Sequence, residues 1–339
     1  MTSLTKVLTL AAIGVSVTTL DATLHGALAA SSPAKAQQST TADSGDTFTV
    51  GGADFRVELD GAAFTAGPAI LMEWIRRSAG IVAAYYGHFP TRTARIQLVP
   101  QRGDEVNGGT TYGYQGGFIR VEVGRDVTDA QLRDDWVLVH EMVHLALPDV
   151  GEDHAWLSEG LATYVEGIAR VQAANRSEED VWMEELRMMP RGLPAAGDRG
   201  LDHTHTWGRT YWGGAMFCLL ADVEIRKRTR LRLGLQDALR AVAERSGGLG
   251  TDWPIARVFE VGDAAVGTSA LEDLYQQMKG DPMRPDLEKL WSDLGVERDG
   301  SSVRLHDDAP LADVRHAIMR PPARAAPSQP PPEQRDSED

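Results

Sequence analysis

Two histidines and a glutamate form the motif His140-Glu141-Met142-Val143-His144. On a helix, His140 and His144 lie four residues apart and project from the same face. Two imidazoles in this arrangement can both bind one zinc ion. Glu141 lies about 100° further round the helix, where its carboxylate can contact a water molecule on the metal. The motif therefore predicts a zinc site with a general base beside it; the alternative is two surface histidines on an ordinary helix.

The stretch that carries the motif, residues 132–147, contains no Gly or Pro. Apolar residues occupy almost every side of it: Trp136, Val137, Leu138, Val139, Met142, Val143, Leu145 and Leu147. This pattern predicts one buried helix that ends at Pro148. Buried polar groups are costly unless they are bonded, and a zinc ion would bond both histidines.

A second helix is predicted over residues 156–168, where an apolar stripe recurs at helical spacing. Its members are Leu157, Leu161, Val165 and Ile168. Glu159 falls near the first turn of this helix, which brings its carboxylate close to the metal if the two helices pack together. Two histidines and one glutamate are a known catalytic zinc set that leaves a fourth position for water. The alternative for Glu159 is a solvated carboxylate favoured by the helix dipole.

Three blocks of sequence occur in order along the chain. They are His140-Glu141-Met142-Val143-His144, then Trp156-Leu157-Ser158-Glu159-Gly160 with Ala162-Thr163-Tyr164, then Tyr211-Trp212-Gly213-Gly214. Together they resemble the gluzincin metallopeptidases, whose pattern is H-E-x-x-H, then W-L-x-E-G-x-A-x-Y, then Y-x-x-G. The blocks are most similar to the aminopeptidase N and glycyl aminopeptidase branches. The resemblance covers residues 90–295 and is strong only in the three blocks.

The resemblance implies an α+β fold of the thermolysin-like zincin type. Its catalytic domain would span residues 47–319. A small N-terminal β-sheet lobe with the zinc helix would occupy residues 47–147, and a mainly helical lobe would occupy residues 148–319.

The resemblance also implies the chemistry, which is hydrolysis of a peptide bond with one zinc ion per chain. The metal ligands would be His140, His144 and Glu159, and Glu141 would be the general base. Tyr211 matches the family tyrosine that stabilises the oxyanion, whereas from periodicity alone it would be a core aromatic on an apolar helix.

Two departures from the family pattern affect the expected activity. Only 14 residues separate His144 from Glu159, so the connecting loop is shorter than usual. The large N-terminal β-domain and the G-x-M-E-N motif, whose glutamate binds the free amino group of the substrate, are both missing. Aminopeptidase activity is therefore not expected.

The elements before the motif are predicted from alternation and turn residues. They are a hairpin over 48–59 with Gly51-Gly52 as its turn, a helix over 68–86, a strand over 94–99 closed by Pro100, a glycine-rich turn over 108–117, and a strand over 118–123. In the thermolysin-like peptidases, the last such strand runs along the cleft and hydrogen-bonds the substrate. The resemblance thereby assigns substrate contacts to Gly116, Gly117 and Phe118, and the alternative is an ordinary hairpin loop.

The elements after the motif are predicted to be mostly helical. The predicted helices are 177–188 with Ser177 as N-cap, 211–228, 235–245, 254–260, 270–278 and 286–294. Residues that could orient the zinc histidines are Glu166, Asp149 and Asp153. The remaining polar candidates, His154, His203 and His205, are expected to be surface histidines, and the single cysteine, Cys218, a buried side chain.

Composition and the chain ends bear on location and partners. The chain has 339 residues, is 42% hydrophobic and carries a net charge of −15, so a general nucleic-acid-binding role is not expected. Residues 1–36 resemble a secretory signal peptide with A-x-A sites, and an uncleaved anchor is the alternative, although the apolar stretch is short for a span. Residues 37–46 are a predicted linker and 320–339 a predicted disordered tail. No later segment is a membrane-span candidate.

Three functions are consistent with these features. The first is an exported zinc peptidase, periplasmic or secreted, that acts on peptides or proteins. The second is a zincin-like binding or scaffold protein of the cell envelope without turnover. The third is a zinc hydrolase that acts on a non-peptide amide. Glu141 favours an enzyme, because a binding module needs no base beside the metal.

Overall fold

The computed structural model describes residues 8–9, 46–114 and 116–321 of the chain. A mixed β-sheet with a long helix on one face comes first, and a mainly helical part follows, so the fold is α+β. The predicted linker up to residue 45, the tail from residue 322, and all of the predicted leader except Leu8–Thr9 lie outside the described residues.

The sheet of the described chain has six strands in the order β1-β5-β6-β4-β3-β2. Their bounds are β1 Leu8–Thr9, β2 Asp46–Val50, β3 Ala53–Glu58, β4 Thr93–Gln101, β5 Val106–Tyr112 and β6 Phe118–Gly124. β3, β4 and β6 run parallel to one another. β5 pairs antiparallel with β6 and carries β1 on its other edge.

The predicted hairpin and first helix are both present. Gly51 and Gly52 form the turn between β2 and β3 with φ values of 58° and 81°, a left-handed backbone that suits glycine. Helix α1 (Gly67–Tyr86) ends at Gly87, which is also left-handed. One side of α1 packs into the core through Leu71, Trp74, Ile75 and Val82, which covers the buried face of the sheet.

The strand predicted over residues 94–99 continues further than predicted. β4 includes Pro100, which pairs with Val123 of β6, and ends at Gln101. Proline is tolerated there because β3 pairs with β4 only as far as Gln97, so β4 has a neighbour on one side alone at Pro100.

The predicted glycine-rich turn over residues 108–117 is wrong in its first half, because Val106–Tyr112 forms strand β5. A β-carbon at Gly109 would lie 2.5 Å from Cγ of Glu141. Glycine in this strand therefore marks a close approach of the strand to a side chain. The adjacent β-branched residues Thr110 and Thr111 suit a strand.

The predicted single helix over residues 132–147 is two helices, α2 (Asp129–Asp134) and α3 (Val137–His144). The break lies at Asp135, whose carboxylate accepts hydrogen bonds from the backbone N–H groups of Val137 and Leu138 at 3.0 and 3.1 Å. It also accepts one from Trp74 Nε1 at 3.1 Å. This carboxylate caps α3 and ties its start to α1.

Two further details of the motif helix differ from the prediction. Trp136 was counted among the buried residues, but its side chain is 42% exposed because it lies at the break. α3 ends at His144 and not at Pro148. The next residues form hydrogen bonds over three residues instead of four, as is common at helix ends. Leu145 N–H donates to the carbonyl of Met142, and Ala146 N–H donates to that of Val143.

The helical part contains the predicted helices and two unpredicted elements. The helices are α4 Ala155–Gln172, α5 Glu178–Met188, α6 Gly214–Thr229, α7 Leu235–Ser246, α8 Ile255–Val266, α9 Ala270–Met278, α10 Leu287–Leu294 and α11 Ala312–Met319. Helix α11 and the hairpin of β7 (Val296–Asp299) and β8 (Ser302–Leu305) were not predicted. Ser177 caps α5 as predicted, accepting from Asp180 N–H at 3.1 Å. No helix in the described part is long and apolar enough to cross a membrane.

We expect Asp135→Ala to destabilise the protein by about 2 kcal/mol or more, because it removes a helix cap and leaves the buried Trp74 N–H without its acceptor. Burial raises the pKa of Asp135 to about 6, so urea unfolding at about pH 8 compares the variant with the ionised parent. Asp134→Ala is the matched control, since that neighbouring side chain is 94% exposed. Equal unfolding midpoints for both variants would contradict the role of Asp135.

Candidate metal centre

Helices α3 and α4 bring His140, His144 and Glu159 together. One carboxylate oxygen of Glu159 lies 3.3 Å from Nε2 of His140 and 3.5 Å from Nε2 of His144. All three side chains are buried. The four-residue spacing puts both imidazoles on one face of α3, and the packing of α4 against α3 brings Glu159 to that face.

Ser158 orients one of the two histidines. Its hydroxyl Oγ lies 3.0 Å from Nδ1 of His144, which leaves Nε2 directed at Glu159. Of the residues suggested from sequence for this role, Glu166 pairs instead with Arg170 at 2.9 Å. No spacing in the sequence indicated Ser158, because it precedes Glu159 by one residue and so lies about 100° round the helix from it.

The three groups shift one another's protonation. Burial lowers the pKa of His140. Burial would do the same to His144, but the charges of Glu159 and Glu141 outweigh it, so the pKa of His144 is raised. Burial would raise the pKa of Glu159, but both imidazoles hold it well below its usual range. Glu159 is therefore a buried anion at neutral pH.

The donor set fits a divalent metal ion. Each of the three residues offers one ligand atom, and these atoms lie within 4.8 Å of one another. Two imidazoles and one carboxylate match the preferences of zinc. Within the described ranges this is the one such group of three or more. His203 and His205 are exposed, and His154 bonds the carbonyl of Val150, as expected of histidines outside the site.

Glu141 is held at the edge of the sheet. The hydroxyl of Thr111 on β5 donates to Oε2 of Glu141 at 2.5 Å and also lies 2.9 Å from its backbone carbonyl. Gly109 on the same strand leaves room for the Glu141 side chain. Burial raises the pKa of Glu141 to about 7. This carboxylate can therefore both accept and release a proton near neutral pH.

Tyr211 approaches the same centre from the turn that precedes α6. Its ring stacks on that of His140 with a centroid distance of 6.5 Å. Burial raises the pKa of Tyr211, and the charge of Glu159 together with a hydrogen bond to Glu159 raises it further. The phenol is therefore protonated and able to donate at neutral pH.

The predicted helix over residues 211–228 begins differently, because Gly208–Gly213 is a π-helical turn and regular helix starts at Gly214. Arg209 anchors this turn. It is buried, pairs with Asp198 at 2.9 Å and donates to the carbonyl of Gly192 at 2.6 Å. π-Turns are frequent at functional sites, and this one carries Tyr211.

Two glycines set how closely α6 approaches α4. A β-carbon at Gly160 would overlap the backbone of Gly214, and one at Gly214 would overlap the carbonyl of Trp156. Gly160 follows Glu159 directly, and Gly214 lies three residues after Tyr211. The close crossing of the two helices therefore brings the phenol to the carboxylate.

The substrate contact assigned to Gly116, Gly117 and Phe118 stays a prediction. β6, which begins at Phe118, lies between β5 and β4 and pairs with both. Space beside Gly117 is limited by the side chain of Leu145. The strand that runs beside Glu141 is β5, which overlaps the predicted glycine-rich turn over residues 108–117.

Comparison with solved structures shows a related fold. An aminopeptidase N family protein from Idiomarina loihiensis is similar with a TM-score of 0.53 and 13% identity, over 75% of this chain and 49% of that one. An M1 zinc metallopeptidase from Deinococcus radiodurans, bound to a Tyr-Ser-Ala substrate, gives a TM-score of 0.46 and 14% identity, over 71% and 52%. The chain thus spans about half the length of these structures. No protein-family model and no curated protein matches it.

We expect His140→Ala and His144→Ala each to weaken zinc binding by more than about 100-fold, and Ser158→Ala by about tenfold, because a lost ligand costs more than a lost orienting bond. Competition with a chromophoric chelator measures the affinity. His205→Ala, which removes an exposed histidine, should bind zinc as the parent does. Parental affinity in either ligand variant would show that the metal is bound elsewhere.

Proposed function

We propose that this protein is a zinc-dependent peptidase that hydrolyses peptide bonds with one zinc ion per chain. The observation that carries the proposal is the buried group of His140, His144 and Glu159, with Glu141 and Tyr211 directed at it. The similarity of fold to a protein of the aminopeptidase N family supports it.

His140, His144 and Glu159 would hold the metal. When bound, zinc would polarise the scissile carbonyl and make a water molecule nucleophilic near neutral pH. The chain's own task is to hold both imidazoles correctly turned. The hydrogen bond between Nδ1 of His144 and Oγ of Ser158 serves that task, because it leaves Nε2 directed at Glu159.

Glu141 is the proposed general base. It takes a proton from the attacking water and later delivers that proton to the leaving amine. A carboxyl with its pKa raised to about 7 suits both steps, because it is neither too weak a base nor too weak an acid. Thr111 fixes the orientation of the carboxylate through the bond to Oε2.

Tyr211 is the proposed donor to the oxyanion. As the carbonyl carbon becomes tetrahedral, negative charge develops on its oxygen, and a preorganised donor stabilises that charge. Tyr211 suits this role because its phenol stays protonated and its position is set by the anchored π-helical turn. Glu159 would hold the phenol in place until substrate enters.

We propose that an extended peptide substrate pairs with the outer edge of β5, which Leu8–Thr9 occupies in the full chain and which the proposed cleavage within residues 1–36 would free. That edge pairs antiparallel with Leu8–Thr9 at Thr110 and Thr111, so its geometry accepts an extended chain next to the residue that holds Glu141. β5 contains no acidic residue that could bind a free amino group. The proposed substrate is therefore an internal stretch of a peptide and not a free N-terminus.

We also propose that the protein is exported, to the periplasm or beyond, after cleavage within residues 1–36. The proposal rests on the leader pattern in the sequence and its A-x-A sites. N-terminal sequencing of protein recovered from the producing cell tests it, and an intact Met1 on cytosolic protein would overturn it.

We expect Glu141→Gln to bind zinc as the parent does and to lower kcat by about 10²- to 10⁴-fold, because the ligands remain and the proton acceptor is lost. Turnover of a mixed peptide pool, followed by mass spectrometry at full zinc loading, measures the loss. Glu122→Gln removes a surface carboxylate that pairs with Arg120 and should keep parental activity. Undiminished cleavage by Glu141→Gln would rule out the proposed proton transfer.

Tyr211→Phe should lower kcat by about 10²-fold and leave KM nearly unchanged, because the lost hydrogen bond forms only as charge develops on the carbonyl oxygen. Steady-state kinetics on one cleaved peptide separates the two constants. Tyr114→Phe is the comparison, since its ring packs on Tyr112 and Phe118 and not on His140. If Tyr114→Phe loses kcat and Tyr211→Phe does not, the donor has been assigned to the wrong tyrosine.

A further inference from the structure

Two exposed tryptophans lie next to the metal centre. Within the described ranges, the large apolar side chains that remain exposed are Tyr114, Trp136, Trp207 and Leu231. The ring of Trp136 meets that of His140 edge-on at a centroid distance of 5.6 Å. The ring of Trp207 stacks on that of Tyr211 at 5.9 Å.

The four rings form a continuous row. Trp136 precedes His140 by four residues, and Trp207 precedes Tyr211 by four residues, so each tryptophan lies one helical turn before a residue of the site. His140 and Tyr211 join the two pairs at 6.5 Å. The inner rings are a metal ligand and the proposed oxyanion donor, and the outer rings are 42% and 39% exposed.

These two tryptophans differ from those that stabilise the core. The fully buried tryptophans each donate a hydrogen bond through the indole N–H: Trp74 to Asp135, Trp156 to Asp202 and Trp182 to Glu178. Trp136 and Trp207 make no hydrogen bond through their indoles to any described residue. Both therefore keep exposed ring surface and an indole N–H with no described partner, and the Arg191 guanidinium also lies over the Trp207 ring at 5.9 Å from its centroid.

We propose that Trp136 and Trp207 are specificity-determining residues that contact the substrate on either side of the zinc site. They select peptides with large apolar or aromatic side chains near the scissile bond. Aromatic faces bury large areas and favour other rings, and exposed tryptophans at a recognition site are typical energetic anchors. The proposal rests on the proposed peptidase function, because it names the substrate class of that same site.

The experiment compares two matched peptides with the full-length, zinc-loaded protein. A mixed peptide pool first identifies a cleaved bond by mass spectrometry. One peptide then carries Phe on both sides of that bond, and its partner carries Ala. The parent should prefer the Phe peptide in kcat/KM by at least about tenfold, the scale of one well-filled apolar pocket.

Trp136→Ala and Trp207→Ala should each reduce that preference severalfold, and Trp136→Phe should retain most of it, because a ring remains beside His140. Leu231→Ala is the matched control, since it removes an equally exposed apolar side chain, 39% exposed, in the turn after α6. It should leave the preference unchanged. A parent without preference, or tryptophan variants that keep the parental preference, would overturn the proposal.

Binding separates this proposal from the proposed function. Calorimetric titration of zinc-loaded Glu141→Gln measures the affinity of each peptide without turnover. If the parent cleaves no peptide, the peptidase proposal fails, and the titration then uses two peptides of one fixed sequence that differ only in two central residues, Phe or Ala. Tighter binding of the Phe peptide that is lost in Glu141→Gln/Trp136→Ala would still support the tryptophan site. Equal binding of the Phe and Ala peptides would overturn the tryptophan site in that case too.

Discussion

The crossing of α4 and α6 at Gly160 and Gly214 is the constraint on which the site depends. Any side chain at either position would overlap backbone atoms of the other helix, so no change of rotamer could relieve it. Glu159 lies on one side of this contact and Tyr211 on the other. The separation of the helix axes therefore sets the distance between the proposed metal ligand and the proposed oxyanion donor, which explains why glycine occurs in both the E-G and Y-x-x-G blocks of this chain.

The same close packing buries the polar groups that do the chemistry. Glu159 is a buried anion shared between two imidazoles, and burying charge is costly unless it is compensated. A metal ion compensates best, because it binds all three donors at once and its binding energy then adds to folding energy. Glu141 differs, because the hydrogen bond that stabilises its buried carboxylate comes from Thr111 on the sheet. The pKa of Glu141 stays near neutrality. The fold thus separates the buried anion Glu159, the proposed ligand, from Glu141, the proposed base, whose pKa is about 7.

The sequence predicted what depends on periodicity and spacing. The hairpin at Gly51-Gly52, helix α1 and the meeting of His140, His144 and Glu159 all follow from patterns within short stretches. The break at Asp135 does not follow from such a pattern. An acidic residue before an apolar run gives the same sequence pattern whether its side chain is solvated or whether it caps a buried helix and bonds Trp74. β5 was missed because its glycines are typical of turns, and their reason, contact with Glu141, exists only after folding. Ser158 has no periodic signal at all.

Every side chain assigned to the site comes from one continuous stretch, from Gly109 to Gly214. That stretch contains both the strand beside Glu141 and the turn that carries Tyr211. The chain spans about half the length of the solved structure that it resembles in fold, and its own group of His140, His144 and Glu159 lies wholly within this stretch. Trp136 and Trp207 stay exposed beside this group. In the proposed peptidase, selection of the substrate would fall to these two tryptophans, because the inner groups are assigned to the metal and to proton transfer.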